Sequence, residues 1–93
     1  MYNVQSDVSI ERRLQDAVDE IKYVTIAEGS PLVRFKISDG SILAIDIDTC
    51  TLAMKLPNGK IEQKRVINDS EIGRKWLNLA IKKKRENTGE VYR

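Results

Sequence analysis

The chain reads as a single α+β domain of order αββββα, a four-stranded antiparallel meander with two helices packed on one face. Three observations carry that reading. Ile10, Leu14, Ala17, Val18, Ile21 and Val24 share one helical face, four later segments alternate with a period of two, and a second amphipathic stretch starts at Ile72.

The first helix is expected from Ile10, with Ser9 or Asp7 capping its first amides and Glu11 placed favourably for the helix dipole. Its end is open. Tyr23-Val24-Thr25-Ile26 is β-branched and aromatic, so it reads equally as the last helical turn or as a short strand. Glu28-Gly29-Ser30-Pro31 then marks a turn.

The strands are expected over 32–37, 42–47, 51–56 and 61–67. Placing Val33, Phe35 and Ile37 beside Leu43, Ile45 and Ile47 requires a three-residue first loop with a glycine bulge at Gly40. Two-residue turns at Thr49-Cys50 and Asn58-Gly59 then bring Leu52, Met54, Leu56, Ile61 and Ile67 onto the same apolar face. The opposite face carries Arg34, Lys36, Lys55 and Lys64, with Leu32, Ile42 and Val66 among its apolar members.

Asn68-Asp69-Ser70-Glu71 has the form of a capping box with Asn68 at the N-cap, opening a helix to about Arg85. At 93 residues there is room for one core, spanning about 9–85, and the polar residues 86–93 read as a loose tail.

Composition narrows the function. There is no histidine and one cysteine, Cys50, which removes the commonest general base and any thiolate cluster for zinc. No metal site, cofactor or catalytic constellation is expected. Asp46 and Asp48 resemble a carboxylate pair, but in an antiparallel meander they read as a solvated turn. The longest apolar run, Ile42 to Ile45, is far short of the ~20 residues of a membrane span. With neither a basic start nor an apolar stretch at the N-terminus, a cytoplasmic location is expected.

Charge is polarised along the chain. Residues 1–50 hold five bases and nine acids, a net −4, whereas residues 51–93 hold eleven bases and five acids, a net +6. Much of that excess lies in the last helix. Arg74, Lys75, Lys82 and Arg85 share one edge and Lys83 and Lys84 widen it, while its apolar residues cover an arc of about 200°. Such an arc needs two burying surfaces, so Trp76, Leu77 and Ile81 are candidates for core or for an interface, including that of a homodimer.

The leading expectation is a non-enzymatic accessory protein that binds the phosphate backbone of DNA or RNA. Arg74, Lys75, Lys82, Lys83, Lys84 and Arg85 would make the contacts, with Arg34, Lys36, Lys55 and Lys64 as a secondary basic face. Base readout would be slight. The alternative is a protein-binding module or small inhibitor that uses an apolar helix or sheet surface, as a homo-oligomer or with a protein partner.

Overall fold

Five strands lie between the two helices in the computed structural model, which describes residues 2–87, with side chains over 10–86. Helix α1 spans Tyr2–Ala17, and after it come β1 (Ile21–Ile26), β2 (Leu32–Ile37), β3 (Ile42–Asp46), β4 (Thr51–Lys55), β5 (Arg65–Val66) and α2 (Glu71–Asn87). The fold is therefore α+β with an antiparallel meander in the order β1-β2-β3-β4-β5. It has one strand more than the alternation predicts.

That extra strand comes from the ambiguous stretch. Ile21 and Val24 continue the helical spacing, yet α1 stops at Ala17, where the Glu20 amide donates to the Ala17 carbonyl. Tyr23 to Ile26 instead pair with Lys36 to Val33 of β2. At the other end, α1 begins at Tyr2, so Ser9 and Asp7 lie inside the helix and neither is its cap.

The meander places its two faces as the alternation requires. Val33, Phe35, Ile37, Leu43, Ile45, Leu52 and Met54 are buried, and they form one cluster with Ile10, Leu14 and Ala17 of α1 and Trp76, Leu77 and Ala80 of α2. The first loop has three residues, Ser38 to Gly40, with Gly40 at φ 98°. The other two loops differ from expectation. Asp46 pairs with Thr51, which leaves a four-residue loop, 47–50, in place of a two-residue turn at Thr49-Cys50. A shift of two residues preserves the faces. Pro57-Asn58-Gly59 repeats the first loop: Gly59 has φ 91° and its amide donates to the Leu56 carbonyl at 2.9 Å.

The third loop carries a larger consequence. It seats Ile61 opposite Lys55, on the outer face, where Ile61 is 67% exposed rather than buried as the alternation predicts. Glu62 donates its amide to Met54, but Arg65 pairs with Leu52, so one extra residue is inserted between these two points. A one-residue bulge reverses the facing of every residue beyond it on the strand. Ile67 thus returns to the core at 3% exposure, as predicted.

Side-chain oxygens close these loops. Asp39 Oδ1 accepts from the Ser41 amide at 2.8 Å, Asp46 Oδ1 from the amides of Asp48 and Thr49, and Asn58 Oδ1 from the Lys60 amide. Asp46 is thus occupied as a turn acceptor. The cap of α2 is Ser70 rather than Asn68, because Ser70 Oγ accepts from the Gly73 amide at 3.0 Å while Asn68 and Asp69 form the preceding turn. Helix α2 runs on through Glu86 and Asn87, the first two residues of the expected tail. The rest of that tail, 88–93, lies outside the described residues.

Both a cap and a loop can be tested by stability. A Cβ at Gly73 would sit 2.0 Å from the Ile67 carbonyl oxygen, so Gly73→Ala must displace the start of α2 and should cost about 2–3 kcal/mol. A urea midpoint that stays within error of the native chain would refute this. Hydrogen bonds from Ser41 hold the Asp39 carboxyl below its ordinary value of 3.8. Their stabilisation is present above pH 3.8 and lost as pH falls through the lower folded-state value. Asp39→Ala should therefore be less stable than the native chain at pH 7, with a deficit that shrinks below pH 3.8.

Candidate protein-binding groove

Helix α2 is fixed first by its indole. Trp76 is fully buried, its Nε1–H donates to the Leu14 carbonyl of α1 at 2.9 Å, and its ring meets Phe35 of β2 edge-on with centroids 5.0 Å apart. Leu77 is buried beside it and Ile81 is half-buried against the same core. The wide apolar arc thus finds its second surface within the chain, on α1. Trp76 has no ring face left for a nucleobase.

With Trp76 turned inward, Lys75, Leu79, Lys82 and Glu86 form one stripe at helical spacing on the flank of α2. That flank faces β1. Together they make an open groove of about 1040 Å³ whose floor includes Val18, Ile21, Val24, Ile26 and Leu79, and whose rim carries Lys22, Lys75, Lys82 and Lys83. Lys83 approaches Glu86 at 3.9 Å, and both side chains are close to half exposed. A pair of that geometry is weak and leaves the ammonium available to a better acceptor.

The six cations expected on α2 do not act alike. Lys84 turns to the β1–β2 turn, where its ammonium donates to the carbonyls of Ser30 at 2.7 Å and Ala27 at 3.1 Å. It is a structural clasp. Arg74 is exposed and makes a long 3.5 Å contact with the Asn68 carbonyl. Lys75, Lys82 and Arg85 are exposed.

The secondary basic face is a separate surface. Arg34, Lys36 and Lys55 alternate with the buried residues of their strands and so project from the side of the sheet opposite α2. Lys64 is exposed in the bulged segment before β5. The sheet itself lies between the two groups. No three histidine, cysteine, aspartate or glutamate side chains among the described residues cluster as a metal site would need, and none of their helices is long and apolar enough to cross a membrane.

Pattern reading missed the groove because it needs Ile21 and Val24 on a strand. The signal was there in Tyr23-Val24-Thr25-Ile26, whose β-branched run favours an edge strand over a helix end. Division of labour among the lysines is testable by stability alone. Lys84→Met should cost about 1–2 kcal/mol in urea unfolding, because it removes charge-assisted bonds to two carbonyls, whereas Lys82→Met should stay within about 0.5 kcal/mol. Equal effects would contradict the clasp. Set against protein-family models, curated proteins and solved structures, the chain matches none of them.

Proposed function

We propose that this chain is a non-enzymatic interaction module that binds an acidic partner protein in the groove between β1 and α2. One observation carries the reading: an apolar floor and a lysine rim meet along an open cleft, and among the described residues that line it Glu86 is the only acid. The apolar floor supplies affinity, because burying it removes hydrocarbon from water at about 25 cal/mol per Å². The rim selects for negative charge and speeds encounter.

The absence of histidine from the sequence supports binding over chemistry. Nucleic-acid phosphate competes for the same lysines, but one of its six expected contacts, Lys84, is committed to backbone carbonyls. An apolar floor is also poorly suited to a phosphate backbone, whose recognition rests on charge and hydrogen bonding.

The two readings separate in one capture experiment on a lysate of the organism that encodes the chain. A protein partner should be retained after nuclease treatment and held equally by Lys84→Met, but at least tenfold less by the Lys75→Glu, Lys82→Glu double variant. Retention that disappears with nuclease, or binding of purified duplex that falls steeply between 50 and 200 mM salt, would transfer the rim to nucleic acid.

A further inference from the structure

We infer that the partner enters this groove as an extended acidic strand that pairs with the free edge of β1 and adds a sixth strand to the sheet. This mode of binding rests on the groove reading and specifies how the groove is filled.

The sheet ends at β1 on one side, so among the described residues the strand bonds to β2 alone. An antiparallel strand directs the amides and carbonyls of alternate residues to either side, which leaves those on its outer side without a strand partner. A register shift lies between Ile21 and Tyr23, and the regular edge therefore runs from Tyr23 to Ile26. The opposite edge offers no equivalent. There β5 has two residues, and a bulge separates it from the bridge at Ile61.

Geometry then sets what the incoming strand carries. Val24 and Ile26 belong to the inner face of β1, since they pair with Phe35 and Val33, and both are half-buried. Side chains of an added strand on that same face would enter the groove toward Leu79, with Lys75 and Lys82 above them. Apolar residues suit the floor and carboxylates suit the rim. Side chains on the other face would lie beside Tyr23 and Thr25, both exposed. Recognition of this kind draws affinity from main-chain bonds and specificity from alternate side chains.

Charge also decides against a second copy of the chain as occupant. Antiparallel pairing of β1 with β1 would bring the lysine-bearing flanks of two α2 helices toward one another on one face of the joined sheet. Like charges in such proximity oppose association. An acidic strand meets the opposite field.

The test uses a random ten-residue display library selected on the intact chain, and then the enriched peptide itself. Enriched sequences should alternate Asp or Glu with β-branched or aromatic residues. The chosen peptide should slow hydrogen exchange at amides within Tyr23–Ile26 by at least tenfold. N-methylation of alternate peptide amides should weaken binding at least tenfold in one phase of the alternation and much less in the other, because only one set faces β1. Lys75→Glu with Lys82→Glu should weaken it by a similar factor. Binding that responds to the lysine variants but ignores N-methylation and leaves β1 exchange unchanged would overturn strand addition while leaving the groove reading intact. Enrichment of basic or helically periodic peptides, or of none, would overturn both. A single-stranded oligonucleotide that binds the groove more tightly than the selected peptide would also overturn both.

Discussion

The Trp76 indole is the contact on which the remaining geometry depends. It joins three elements at once: its N–H bonds a carbonyl in the last turn of α1, its ring abuts Phe35 on β2, and its backbone belongs to α2. Carbonyls near a helix end have accepting capacity to spare, so the bond satisfies two buried polar groups together. It also sets the rotation of α2 about its own axis. At about 100° per residue, an inward Trp76 sends Lys75, Leu79 and Lys82 toward β1, and sends Lys84 to the β1–β2 turn.

Much of the architecture was legible because the central strands differ sharply between faces. In β2, β3 and β4 every second residue is buried, and a register error of one would expose the whole set. Loop lengths were less legible, since a two-residue change leaves the faces intact and so leaves no mark on the pattern. Ile61 and Ile67 show the limit clearly. They are six apart and share a parity, but one is exposed and the other buried, because the intervening bulge is encoded by hydrogen bonding rather than by hydrophobic period.

The start of the sheet was obscured for the opposite reason. Ile10, Leu14, Ala17, Ile21 and Val24 keep a faultless helical rhythm across a boundary that holds neither glycine nor proline. The cause of the helix end is tertiary. Five paired positions on β2 give Ile21–Ile26 a use as a strand that its local spacing does not announce. The cationic helix was legible as a composition but not as a set of roles. Lys82 and Lys84 are about 200° apart on the wheel, and only the fold shows that one faces open groove and the other two backbone carbonyls.

The edge strand and the lysine-bearing flank of α2 depend on one another. If β1 were helical, the sheet would end at β2, a strand whose buried side chains alternate with Arg34 and Lys36. Moving the edge outward to β1 gives the sheet a margin of Ile21, Val24 and Ile26, half-buried and only partly covered by α2. An edge of that kind is a hazard unless charge guards it, and lysine is the residue most used for the purpose. Here Lys22, Lys75, Lys82 and Lys83 stand around it. In the binding mode proposed above, the lysines that guard the edge would also select a strand of opposite charge. Protection and recognition would then follow from one arrangement, a cationic helix flank beside the longer free edge of the sheet.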